Sequence, residues 1–412
     1  MLQISNGVLI KYTDETKSQK SVTVPDGVRE IGKGAFEYCM SLEHVTLPEG
    51  LEVIGEGAFA QCIHLMEITI PRTVTTIGST AFWGCESLGE VFVPATVKRF
   101  GRQIFSCCIN LRTAVLEDGI TEVPRSMFIG CEKLENVVLP PSVRCICERA
   151  FLGCGSLEKV TLPENLIYIF QYAFSDCTYL EDINIPPTVI GIAECAFYSC
   201  AEFKYVRLPD GIKKIEAHLF ESCASLETVD IPDTVESIGY MAFSWCGHLE
   251  SLVVPESVSF ISMSAFDDCN SLRRLTIFGC TVDKTAWEFG FDPPEKVRKM
   301  LDDKSYSTAD VSENVKTMFA IERYSIYREP EAKEYIGQNA AYAAGVCIEL
   351  NDYLKLRTIL TNFTLPADSL LPLLDRAIKN TQDGGDVALQ TLLMNYKSER
   401  YPDLDIFDDI KL

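Results

Sequence analysis

Of the 412 residues, 47% are hydrophobic and 23% charged, the composition of a folded globular chain and not of a disordered one. The formal net charge of −22 argues against polyanionic partners, because DNA, RNA and anionic lipid are held by clustered Lys and Arg. No run approaches the roughly 18 apolar residues that a bilayer span requires, so no membrane insertion is expected.

The chain opens on Met1-Leu2-Gln3-Ile4-Ser5-Asn6-Gly7, without the basic and apolar regions of a secretory signal. The expected location is therefore cytoplasmic, or the cell surface or exterior if a leader has been removed. Asn6-Gly7 between Leu2-Gln3-Ile4 and Val8-Leu9-Ile10 predicts a two-residue β-hairpin. With the polar segment 13–20 it forms an N-terminal cap over residues 1–20, covering a sheet edge that would otherwise stay open.

From there a 23-residue period governs the chain. Phenylalanine recurs at Phe36, Phe59, Phe82, Phe105, Phe128, Phe151, Phe174, Phe197, Phe220, Phe243 and Phe266, and cysteine follows three residues after each, from Cys39 to Cys269. The copy starting at Leu42 shows the logic. Val45 and Leu47 alternate with His44 and Thr46, the pattern of a short strand with one face buried. Pro48 ends the strand, Leu51 and Ile54 line an irregular return path, Gly55 supports a turn, and Ala58, Phe59 and Cys62 close the coil. One such unit cannot bury both of its faces, so the units must stack, Phe on Phe, at about 4.8 Å per coil.

The pattern L-x-x-V-x-L-P-x-x-V-x-x-I-G-x-x-A-F-x-x-C resembles the BspA-type bacterial leucine-rich repeats, also called the Treponema pallidum type. The resemblance covers residues 21–280, eleven units. It implies a solenoid with a parallel β-sheet on its concave face and short helical or 3₁₀ turns on the convex one. It also implies that binding residues sit on the concave strands, in a family whose members are often cell-surface adhesins.

The outward strand column runs Thr23, Thr46, Thr69, Phe92, Val115, Val138, Thr161, Asn184, Arg207, Asp230, Val253 and Thr276. Most entries are small and polar, as a wet face requires. Phe92, Val115 and Val138 are successive and apolar, which predicts a contiguous exposed patch of the kind that marks protein contacts. Two breaks in the repeat lie beside it: Glu117 replaces the strand-ending proline and Pro124 the turn glycine. Tyr205, Arg207 and Arg274 are a second set of candidate anchors, nearer the C-terminus.

Signs of chemistry are scarce. The four histidines do not gather in a single column, and H-E-x-x-H, C-x-x-C and phosphate-loop patterns are missing. Gly32-Lys33-Gly34 and Gly55-Glu56-Gly57 occupy one repeat column and need no nucleotide. The 17 cysteines are odd in number, so they cannot all pair within one chain. A linear column lacks the tetrahedral convergence of a soft-metal site, so the column cysteines read as buried, reduced core residues, with no cofactor and no metal. Cys107, Cys145 and Cys147 stand off the column.

After Cys280 the rhythm stops and an α-helical domain, 281–412, is expected. Pro293-Pro294-Glu295 opens a helix to Leu301, followed by helices over 310–327, 331–350, 352–361, 367–379 and 385–398. Leu354, Leu356, Ile359 and Leu360 form one apolar stripe; Leu370, Leu371, Leu373, Leu374 and Ile378 form another. The helices weakly resemble ankyrin-like hairpins, without the T-P-L-H signature. Asp403 to Asp409 reads as a solvated acidic tail.

Function is therefore expected from a surface and not from a catalytic centre: a non-enzymatic, protein-binding scaffold. The alternative is a secreted or cell-surface adhesin that binds glycans.

Overall fold

The computed structural model describes residues 1–15, 18–262, 264–283, 294–402 and 404. The chain divides into two compact units, Met1–Leu272 and Arg273–Leu412.

The first unit begins with the antiparallel hairpin of β1 (Leu2–Ser5) and β2 (Val8–Tyr12). Asn6 and Gly7 both take positive φ, 49° and 77°, as the tight hairpin turn requires. β2 then pairs in parallel with Glu30–Ile31, so the hairpin closes one edge of the stack.

Behind it the coils are joined by parallel ladders in which every partner is 23 residues away. The first ladder carries the expected strands, among them His44–Thr46, Thr113–Leu116 and Tyr205–Arg207. In the coils of Lys159 and Asp182 it narrows to isolated bridges, Lys159 to Asp182 and Asp182 to Tyr205. The return path is more regular than its sequence suggests. Val53–Ile54, Thr76–Ile77, Cys145–Ile146, Tyr168–Ile169 and their equivalents form a second parallel ladder of two-residue strands. Two residues are too few to show alternation, which is why the sequence conceals this sheet.

The third side of each coil is built of turns. Ala35 N–H donates to Gly32 O and Glu37 N–H to Gly34 O, 3₁₀-type bonds, while Phe36 and Tyr38 donate to Ala58 and Ala60 of the next coil. Alternate amides thus serve the turn and the neighbour. Two residues per coil take left-handed φ, for example Gly57 and Gln61, or Tyr172 and Asp176. Non-glycine residues there cost about 1 kcal/mol or more each and are held by the inter-coil bonds.

The core is a continuous aromatic stack. Phe36 through Phe266 pack ring on ring with centroids 4.9–5.9 Å apart and planes within 17°. Tyr12 of β2 starts the stack at 5.3 Å from Phe36, one residue off the 23-residue spacing. Burying each ring contributes about 2–3 kcal/mol.

The cysteine column has a specific partner. From Cys62 to Cys269 each thiol donates to the carbonyl of the Phe 26 residues earlier, at 2.9–3.3 Å. That carbonyl also accepts its own turn amide, as Phe105 O accepts Cys108 N–H at 3.3 Å. A small apolar side chain with one weak donor fits this position, and cysteine is that residue. Burial pushes the column thiols well above the ordinary thiol range.

The second unit starts with a hairpin, Arg274–Ile277 against Cys280–Asp283, turned at Phe278 and Gly279, both at positive φ. Seven described helices follow: α1 (Pro294–Asp302), α2 (Glu313–Tyr327), α3 (Pro330–Gln338), α4 (Ala340–Glu349), α5 (Tyr353–Asn362), α6 (Leu370–Gln382) and α7 (Val387–Arg400). α2 packs on α3, α4 on α5 and α6, and α6 on α7. Asp352 and Asp386 cap α5 and α7 through the amides of Lys355 and Ala388.

Three details differ from the sequence reading. The helix expected over 331–350 is two helices broken at Asn339, whose side-chain amide donates to the Tyr335 carbonyl and so competes with helix continuation. Residues 367–369 are a 3₁₀ turn ahead of α6. Leu354 is 70% exposed, because two residues from Leu356 is about 200° around a helix; Leu356, Ile359 and Leu360 are buried as expected. The helix start at Pro293 and the tail from Asp403 to Asp409, Leu404 apart, lie outside the described residues.

Candidate protein-binding face

The first ladder sets the geometry of the apolar patch. In its three-stranded section Val115 lies between Phe92 on one side and Val138 on the other. The alternation of the strands turns Val91, Ala114 and Val137 into the core and the three candidates outward. Phe92 is 41% and Val138 45% exposed, and Val115 is half-buried between them. The sequence-derived patch is thus contiguous, by the register of the strands alone.

Its rim is charged. Glu117, where other coils end the strand with proline, accepts the Ala95 amide at 2.8 Å and pairs with Arg72 at 2.6 Å. Arg72 in turn lies over the Phe92 ring, 5.6 Å from its centroid. The Ala95 amide, and then the Arg72 guanidinium, hold the Glu117 carboxyl below the usual carboxylate range. One irregular residue therefore clamps neighbouring coils and fixes a cation against the exposed aromatic ring. Arg72 was not visible from the strand column; the signal for it was a basic residue just after the proline of the coil preceding Phe92.

Tyr205 and Arg207 are exposed on the same ladder, but two coils, those of Thr161 and Asn184, separate them from Val138. Tyr205 donates to Asp230 at 2.7 Å, and this bond raises the phenol above its ordinary range. Arg207 stands in register with Asp230. Arg274 is exposed in the second unit, paired in register with Asp283. Tyr205 and Arg207 do not form one site with the patch.

Among the described residues no group of three or more His, Cys, Asp or Glu is placed to hold a metal, and no helix is long and apolar enough to cross a membrane. All 17 cysteines are free thiols.

A 23-residue coil with a Phe spine and an outward strand column defines a leucine-rich-repeat solenoid. More particularly, the chain belongs to the BspA-type leucine-rich repeat family, whose description matches residues 11–135, 98–224 and 171–285. Among solved structures, a leucine-rich repeat protein from Bacteroides ovatus is 30% identical over 63% of this chain and 73% of its own, with a TM-score of 0.54. A leucine-rich cell surface protein from Faecalibacterium prausnitzii is 26% identical over 67% and 85%, TM-score 0.40. The T. pallidum leucine-rich repeat protein is 25% identical over 59% and 82%, TM-score 0.28. No curated protein matches the chain.

Proposed function

We propose that this protein is a non-enzymatic scaffold that binds a protein partner on the outer face of its first ladder, centred on Phe92, Val115 and Val138. Tyr205 and Arg207 are outlying polar anchors, and Arg274 is a separate anchor in the second unit. The observation that carries the reading is the register, which sets three apolar side chains side by side in a column that is mostly polar elsewhere. A partner that covers them gains apolar burial without any rearrangement of the scaffold. The cap of residues 1–20, the solenoid of 21–280 and the helical domain of 281–412 divide the labour: the first two present the face, and the third caps, dimerises or binds elsewhere. Seventeen free thiols support a reducing, cytoplasmic setting.

The test is crosslinking capture from lysate of the source cells with the parent and with a Val115→Glu, Val138→Glu variant, whose folding is first checked by circular dichroism. The expected outcome is a protein held by the parent and weakened at least tenfold in the variant, reproduced with that protein purified. Equal capture by both would remove the face from the binding mechanism, and capture of polysaccharide alone would favour an adhesin.

A further inference from the structure

On a chain of net charge −22, residues 98–149 carry eight Lys and Arg against six Asp and Glu. On the second ladder or beside its strands, Lys98, Arg99, Arg102 and Arg144 are all exposed, and farther along so is Lys214. Arg99 donates to Thr76 and Lys98 to the Gly119 carbonyl; none of the five makes an ion pair among the described residues.

Between these four cations and Lys214 lies an apolar strip. In the ladder section where Cys145, Tyr168 and Gly191 are in register, Tyr168 is 40%, Phe170 39% and Ile190 51% exposed. Tyr168 and Phe170 lie 5.8 Å apart. The Tyr168 ring covers Gly191: a Cβ there would fall 2.6 Å from the ring carbon Cε1. One side of the ring is thus closed by backbone. Phe170 stands in the column that holds glycine at Gly32, Gly55, Gly78 and Gly101, where a Cβ would meet backbone atoms at 2.1–2.8 Å. At Phe170 the coil opens enough to admit a large side chain while the Phe170 amide still donates to Ile146 O at 2.9 Å. Core packing does not explain an aromatic residue there, since its ring stays at the surface.

We propose that this face is a docking surface for an extended protein segment whose apolar centre is flanked by Asp or Glu. The span from Arg99 to Lys214 is five coils, about 24 Å, which is the length of about seven extended residues. The cations at both ends match acidic flanks, and the strip between them matches aliphatic or aromatic side chains. A second copy of this chain does not fit, because an isologous contact would set two cationic patches of two acidic molecules together. Nucleic acid fits less well: the centre offers no cations for phosphate, and the whole chain repels polyanions. This surface is distinct from the face centred on Val115 and does not depend on it.

The test uses the full chain as bait for a random dodecapeptide display library, followed by fluorescence anisotropy with the enriched peptides. The expected result is enrichment of sequences with Asp or Glu on both sides of Leu, Ile, Phe or Tyr. Affinity should fall at least tenfold in Phe170→Gly, which restores the residue used by five other coils and so preserves the fold. It should fall similarly in an Arg102→Glu, Arg144→Glu variant and on raising salt from about 50 to 500 mM. It should be unchanged in Val115→Glu, Val138→Glu. Enrichment no greater than the naive library, basic or uncharged consensus sequences, insensitivity to Phe170→Gly, or tighter binding of a labelled poly-dT oligonucleotide would each overturn the proposal.

Discussion

The solenoid and the helical unit bury polar groups in opposite ways. Among the described residues of the solenoid the buried polar side chains are four serines, Ser106, Ser126, Ser175 and Ser244, and backbone groups are answered coil by coil, down to the thiol on each Phe carbonyl. In the helical unit charges go inside. Glu329 is 5% exposed and accepts Tyr306 Oη and Arg323 Nε at 3.0 Å, with Lys304 at 3.7 Å; Glu322 is 6% exposed and pairs with Lys355 at 2.9 Å. Burial depresses Lys355 and Arg323, and their carboxylate partners more than reverse it, so both cations titrate above their ordinary values. Repetition lets one solution serve every coil with neutral groups, whereas an irregular helical core settles each polar contact separately and at higher stakes.

That contrast is open to attack at high pH, where the largest effect is expected. Nine column thiols, Cys62 to Cys246, titrate above the ordinary range in the folded state, Cys223 at about 12. The fold favours the neutral thiol, so this stability is fully present below the unfolded value near 8.5 and is lost as pH rises toward the folded values. Each thiol costs about 1.4 kcal/mol per pH unit in that window. The helical unit holds two buried thiols, Cys280 and Cys347. During an alkaline titration the solenoid should therefore unfold first, with the helical 222 nm signal outlasting the burst of thiol reactivity. Simultaneous loss, or thiols that titrate near 8.5 in the native protein, would break the comparison.

A smaller effect sharpens it from the other side. Arg323→Met leaves Glu329 buried without its strongest partner and should destabilise the helical unit by about 3–5 kcal/mol, read as a lower urea midpoint of the helical signal. Cys131→Ala should cost only about 1 kcal/mol, because Phe105 O still accepts the Cys108 amide. A cost for Cys131→Ala as large as that of Arg323→Met would show that the thiols are structural keystones and not fillers.

Much of this was readable before any coordinates. The hairpin at Asn6-Gly7, the Phe stack, the buried thiols and the register of Phe92, Val115 and Val138 follow from residue spacing, because a strict period fixes neighbours without knowledge of the path between them. The second ladder was not readable, since strands such as Val53–Ile54 are too short to alternate. Nor were the left-handed positions, where Gln61 or Tyr172 stands in conformations that glycine prefers and only inter-coil bonds enforce. The strip of Tyr168, Phe170 and Ile190 lies outside the outward column of the first ladder; its sequence signal is an aromatic residue in the column of Gly55, where five coils carry glycine. In the helical unit Asn339 looked compatible with one long helix, and its backbone competition depends on tertiary placement.

The link from each Phe carbonyl to the thiol 26 residues later has one further consequence. A residue added or removed between a Phe and that Cys would put the wrong side chain on that carbonyl and break the register of both ladders at that coil, while the coils beyond it keep their own 23-residue spacing. Whole coils of 23 residues are therefore the step in which the stack lengthens or shortens without a local defect, like a rack whose pitch is set by its teeth. A descendant whose stack is shortened or lengthened without such a defect should differ from it by a multiple of that number.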